Sequence, residues 1–145
     1  MSYHTWHEYG LGVCVTKLEF RSTERIEKLL EMAPELREKI HEWFSDCEID
    51  PTEVSSYIEY DQDWYLGMAT ILREAIWEAE GIEFTACDDF DCRQYLIYQP
   101  KYPWHMTGKD MEMTAEKVEE ILHKYLSIVT DSEIIVEDQE VANGG

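Results

Sequence analysis

Four cysteines and five histidines are the residues with the widest chemical reach in this chain of 145 residues. Cys87 and Cys92 flank the segment Asp88-Asp89-Phe90-Asp91, and two thiolates across a hairpin can supply half of a tetrahedral zinc site. The other half is missing, because Cys14 and Cys47 lie far off without a paired spacing. His4 and His7 are three apart in an extended segment, which sends them to opposite faces. A Cys87–Cys92 disulfide fits the geometry of a hairpin but not a reducing compartment. A thiol catalyst would need His41, His105 or His123 to meet a cysteine in space, and the acids around the cysteines raise a thiol pKa. Asp88, Asp89 and Asp91 could hold Ca²⁺ or Mg²⁺ through oxygen, but the glycine and distal glutamate of a calcium loop are not placed. Aspartate is also a turn-building residue, which is the expected role here. Gly10-Leu11-Gly12 is followed by Val15 where a dinucleotide fingerprint needs a third glycine, and no serine elbow occurs. The expectation is a protein without cofactor or bound metal that is not an enzyme.

The acids are more informative than the thiols. Lys and Arg total 12 against 32 Asp and Glu, a net charge of −20. Residues 40–92 hold 15 of those acids and a single base, Arg73, whereas residues 1–39 and 93–124 are close to neutral. Ordinary surfaces mix both signs, because like charges work against compactness. Direct binding to nucleic acid is excluded on this balance, and a metal-dependent nuclease would repel its own substrate. Carboxylates also interleave with aromatics from Tyr57 to Tyr65. Aromatics anchor interfaces while charge selects a complementary partner. The residues singled out are Asp46, Glu48, Asp50, Glu53, Glu59, Asp61, Asp63, Glu74 and Glu78, with Tyr60, Trp64 and Trp77 as anchors. Duplex DNA carries one charge per ~1.7 Å of axis, so fourteen net charges on one side would match roughly 24 Å, about seven base pairs.

Elements must then position these side chains. Tyr3–Phe20 reads as a long strand or bent arm, with Gly10 and Gly12 at the bend. Ser22 caps a helix carrying Ile26, Leu29, Leu30 and Ala33, and Pro34 opens a second that buries Leu36, Ile40, Trp43, Phe44 and Cys47. Asp50-Pro51-Thr52-Glu53 starts a short helix through Val54, Tyr57 and Ile58. The span 61–80 is the clearest helix, with Met68, Ile71, Leu72, Ala75, Ile76 and Ala79 inward and Gly81 beyond its end. Trp77 falls off that face. Residues 83–87 and 93–99 form a hairpin. Pro100 to Trp104 is an irregular aromatic loop, Thr114 caps a last helix, Ile134–Glu137 is a final strand, and residues 142–145 fray.

Condensed, the order is βαββαβ, the split-βαβ plan. The expected fold is one α+β domain over residues 1–145. Its antiparallel sheet of about four strands would carry helices packed on it, in a ferredoxin-like arrangement with a helical insertion. No apolar run approaches a membrane span, and Met1–Gly12 does not read as a signal peptide. The expected location is the cytoplasm.

In size and charge the chain resembles the small acidic phage and mobile-element proteins that block bacterial defence, the anti-CRISPR-like proteins. The stretches Ser2-Tyr3-His4-Thr5-Trp6-His7-Glu8-Tyr9-Gly10 and Phe84-Thr85-Ala86-Cys87-Asp88-Asp89-Phe90-Asp91 look like those of short proteins of Gram-positive bacteria and their mobile elements. Such proteins share no common fold, so the resemblance implies a class of activity and gives no residue a role. It implies an inhibitor whose acidic face imitates nucleic acid and occupies the basic channel of a nucleic-acid-binding protein such as a CRISPR nuclease, a channel that reads mainly shape and backbone. Two alternatives stand beside it: a small metal- or thiol-dependent enzyme, and an acidic adaptor whose Trp104 loop holds the partner.

Overall fold

The computed structural model describes residues 5–58, 67–106 and 108–144. Strand β1 (Thr5–Cys14) leads through a 3₁₀ turn at Val15–Lys17 into four helices: α1 (Thr23–Leu30), α2 (Pro34–Asp46), α3 (Val54–Ile58) and α4 (Met68–Glu80). The hairpin β2 (Thr85–Asp88) and β3 (Gln94–Tyr98) follows. A 3₁₀ turn at Pro103–His105, a single helical turn α5 (Gly108–Met111), the long α6 (Ala115–Val129) and β4 (Glu137–Gly144) complete the chain. The sheet is antiparallel in the order β2-β3-β1-β4. Both β1 and β2 run against the β3 that separates them, which is the split-βαβ plan. The fold is α+β.

Local chemistry sets the helix ends. The Ser22 hydroxyl accepts from the Arg25 N–H at 3.3 Å, and the Thr114 hydroxyl accepts from the Lys117 N–H at 3.1 Å. Gly81 ends α4 at φ 70°, a left-handed position that a Cβ disfavours. The end of α6 is closed from α1: Arg25 donates to the carbonyls of Ile128, Ser127 and Thr130. A guanidinium suits the negative end of a helix.

One sheet face carries Val13, Leu96 and Tyr98 into the main core with α4 and α6 against it. Helix α1 packs on α6, and α2 packs on α1 and α4. The opposite face carries Cys14, Tyr95 and Ile97, which form a second, smaller core with Val141 of β4 and with Cys87. That core is covered because β1 bends at its glycines. A Cβ on Gly12 would lie 2.1 Å from the Leu96 carbonyl oxygen, and one on Gly10 would lie 2.5 Å from that of Tyr98. The first half of β1 and its partner β4 therefore curl over the sheet. Asn143 Nδ2 donates to the Asp88 carbonyl at 2.9 Å, and the Phe90 N–H donates to the Ala142 carbonyl at 3.2 Å, although β4 and β2 are opposite edges of the sheet.

Several expectations are corrected. The last strand spans 137–144 rather than 134–137, so residues 142–144 are paired rather than frayed; Thr5 sits opposite Gly144. The first strand stops at Cys14, since Val15–Lys17 turn the chain toward α1. Helix α3 begins at Val54 because Pro51 and Thr52 form a turn around Asp50. Cys47 is exposed at the end of α2 rather than inward. Among the described residues, no helix is long and apolar enough to cross a membrane.

Candidate functional site

The acidic corner is built by the way α2 stops. Its last residue is Asp46, and Glu48 follows at φ 53°, in the left-handed region. The Ile49 N–H donates to the Phe44 carbonyl at 2.9 Å and the Glu48 N–H to the Ser45 carbonyl at 3.5 Å. This is the paired closure that glycine normally makes at a helix end. A glutamate there carries strain of about 1 kcal/mol. The last turn of α2 holds no base, so Asp46 and Glu48 also add charge at the helix's negative pole. Asp50 is next. Its carboxylate accepts from the Thr52 hydroxyl at 2.6 Å and from the Thr52 N–H at 2.9 Å, bonds that hold the carboxyl below its ordinary range. The Ser56 hydroxyl donates to the Asp50 carbonyl at 2.7 Å, and Glu53 lies just before α3.

Beneath this corner α3 is anchored through Tyr57, which is buried. The Tyr57 hydroxyl donates to Glu27 Oε1 of α1 at 2.6 Å; His41 Nε2 reaches the same oxygen at 2.5 Å, and Arg37 Nε reaches Oε2 at 3.3 Å. Burial pushes the Glu27 carboxyl up. The bonds from Tyr57, His41 and Arg37 outweigh it and leave the group below the usual glutamate range. Burial and the Glu27 charge drive the Tyr57 phenol well above its ordinary value.

The later half of the acidic run is spent internally. Glu74 pairs with Arg73 at 3.0 Å. Glu80 holds Tyr125 at 2.6 Å and Lys124 at 3.1 Å, and Glu83 holds Lys101 at 3.5 Å. Asp88 accepts from Asn143 at 3.2 Å, and Asp91 pairs with Arg93 at 3.1 Å. Asp89 accepts from the N–H groups of Asp91 and Arg93, from Arg93 Nε at 2.7 Å and from the Tyr95 hydroxyl at 3.1 Å. Asp89 and Asp91 thus build the hairpin turn, and Asp88 ties its edge to β4. By contrast, the ion pairs among the described residues reach none of Glu42, Asp46, Glu48, Asp50 and Glu53, all of which are exposed.

Among the described residues, the acids singled out from sequence fall into two groups. Asp46, Glu48, Asp50 and Glu53 come together at the end of α2. Glu74, Trp77 and Glu78 sit on α4 against the first half of α2, about 10–16 Å from Asp46 along the helix axis at 1.5 Å per residue. Glu78 is a cap, its carboxylate accepting from the N–H groups of Glu35 and Leu36, each at 3.0 Å. Trp77 is 51% exposed, in keeping with its place off the buried face. Glu59, Tyr60, Asp61, Asp63 and Trp64 lie outside the described residues. Glu42, one turn before Asp46, belongs to the corner and was missed; its three- and four-residue spacing to Ser45 and Asp46 was the available signal.

The four cysteines are free thiols: Cys14 is buried, Cys87 is partly buried, and Cys47 and Cys92 are exposed. Burial, with Glu8, Asp88 and Asp89 nearby, pushes the Cys87 thiol up to about 12, so it is protonated and weakly nucleophilic at neutral pH. Among the described residues, no group of three or more His, Cys, Asp or Glu side chains is gathered to hold a metal ion. In the aromatic loop, Tyr102 and Trp104 stack at 4.9 Å and are 68% and 74% exposed. No family model, curated protein or solved structure matches the chain.

Proposed function

We propose that the protein is a non-enzymatic, cytoplasmic interaction protein that docks its acidic corner onto a basic nucleic-acid-binding protein, in the manner of an inhibitor of an RNA-guided nuclease. The observation that carries this reading is the split in the acidic run. Carboxylates 74–91 are held by partners within the fold, while Glu42, Asp46, Glu48, Asp50 and Glu53 meet no base among the described residues. Five charges at duplex density correspond to about 8 Å of axis, two to three base pairs. The corner thus imitates a short phosphate cluster rather than a seven-base-pair duplex.

The test is competition. Wild-type protein should displace a labelled duplex from an RNA-guided nuclease at low salt, and displacement should weaken steeply as salt rises. The triple reversal Asp46→Lys, Glu48→Lys, Asp50→Lys should abolish it. Displacement that survives the reversal would remove the corner from the mechanism. The exposed Tyr102–Trp104 stack supports a second reading, an adaptor that grips its partner through that loop. In that case Trp104→Ala, and not the charge reversal, breaks the complex.

A further inference from the structure

Apart from the corner, the chain encloses a cleft of about 520 Å³ between the bend of β1, the loop after β3 and the start of α6. Its walls are apolar, from Leu11, Pro100, Met106, Met113, Ala115 and Val118. Residues 100–113 form one wall, and the same segment carries Tyr102, Trp104 and Met111. These are the three most exposed of the large apolar side chains among the described residues. Tyr9 of β1, which also lines the cleft, is exposed as well. Apolar exposure on this scale marks a surface that another molecule covers. A ligand confined to the cleft would leave Tyr102, Trp104 and Met111 in water, whereas a polypeptide laid across it has the reach to cover them too. Methionine, tyrosine and tryptophan are residues that interfaces favour, and thioethers reshape around the side chain they meet.

Charge selects the kind of polypeptide. Among the described residues the lining includes no Lys, Arg or His, and Asp138 joins it from β4 as an exposed carboxylate. Glu112 and Glu116 adjoin the lining residues Met113 and Ala115 in the chain and are exposed. The ion pairs among the described residues reach none of these three acids. The neighbouring bases are turned elsewhere: Lys101 to Glu83 at 3.5 Å, Lys109 to the Glu80 carbonyl and Lys117 to Glu120 at 3.8 Å. The buried Asp110 is already partnered within the fold and takes no part. Three unopposed carboxylates beside an apolar seat complement a segment that carries positive charge next to a large apolar side chain. An amphipathic helix presents that combination on adjoining faces.

We propose that this cleft seats a basic amphipathic helix of a partner protein, with one large apolar side chain between Met106, Met113 and Val118 and lysines or arginines facing Glu112, Glu116 and Asp138. The surface is built from different elements than the acidic corner and does not depend on it.

The experiment follows the methionine methyl resonances of the intact protein by NMR during titration with a synthetic amphipathic helix of leucine and lysine. Met106 and Met113 should shift saturably while Met32, between α1 and α2, stays in place. The same peptide with glutamine for lysine should bind at least about tenfold more weakly, since several exposed ion pairs are lost. Ala115→Trp, a change at an exposed lining position, should close the mouth and remove the shifts. The triple reversal Asp46→Lys, Glu48→Lys, Asp50→Lys should leave them unchanged. Equal affinity for the lysine and glutamine peptides, or no saturable shift with the lysine peptide, overturns the proposal. So do shifts that survive in Ala115→Trp or vanish in the triple reversal, because either result puts the peptide elsewhere. Shifts of the same methyls on concentrating the protein alone would make a second copy the occupant. Saturation by 1-pentanol as tight as by the peptide would make the cleft a small-molecule site, and each of these two results also overturns the proposal.

Discussion

At the scale of the residue, Glu48 carries the sharpest conflict between stability and use. Its left-handed backbone suits glycine, and its charge opposes the pole of α2. Glu48→Gly should therefore raise stability by about 1 kcal/mol, or about 3 °C in thermal denaturation, while weakening the salt-sensitive complex. A lower melting temperature would show that the carboxylate is structural. Glu27 is the opposite case. Glu27→Gln should cost about 1–3 kcal/mol in urea unfolding at pH 7, because Tyr57, His41 and Arg37 lose a charged acceptor. Its folded-state pKa is depressed, so this contribution is complete above the ordinary glutamate value and is lost as pH falls through the lowered one. The gap between wild type and variant should close in acid. Single residues were legible in the sequence where the chemistry was local, as with the Ser22 and Thr114 caps, the Gly81 terminator and the Asp89 turn. Glu78 was not, because its partners are N–H groups 42 and 43 residues away.

At the scale of the element, α2 connects the two groups of acids and keeps them apart. Its N-terminus is capped by Glu78 from α4, and its C-terminus projects the corner. Glu78→Ala should destabilise the fold by about 1 kcal/mol and leave competition with the duplex unchanged, since that carboxylate already has its donors. Loss of competition in a folded Glu78→Ala protein would put α4 back into the interface. Helix positions followed from spacing, because the apolar stripes of α1, α4 and α6 repeat every three or four residues. The last strand did not follow. Ile134 to Val136 carry the β-branched residues, yet the paired segment is the polar run Glu137–Gly144, whose only fully buried side chain is Val141. An edge strand laid over a small core needs few apolar residues, and its charges guard the open edge.

At the scale of the molecule, the split-βαβ order was readable because hairpin and helix signals alternate in a plan with few solutions. The second core was not, since it depends on β1 bending at Gly10 and Gly12 where it meets β3. Gly12→Ala tests that bend. The added methyl would collide with the Leu96 carbonyl and the Ile97 Cα, at 2.1 and 2.6 Å. A loss of about 3 kcal/mol or more is expected, together with faster amide exchange along β4 than along α6. Stability within about 0.5 kcal/mol of wild type would mean that the strand does not cross so closely.

The pairing of Thr5 with Gly144 also fixes how the molecule yields to force. Tension applied between these two residues acts across adjacent antiparallel strands at the same end. It peels β4 from β1 one hydrogen-bonded rung at a time instead of shearing all the rungs together. Val141 leaves its small core early in that peeling, while the helices on the other side of the sheet are still packed. Mechanical resistance is thus set by the ribbon and stays low however strongly the helical side is reinforced.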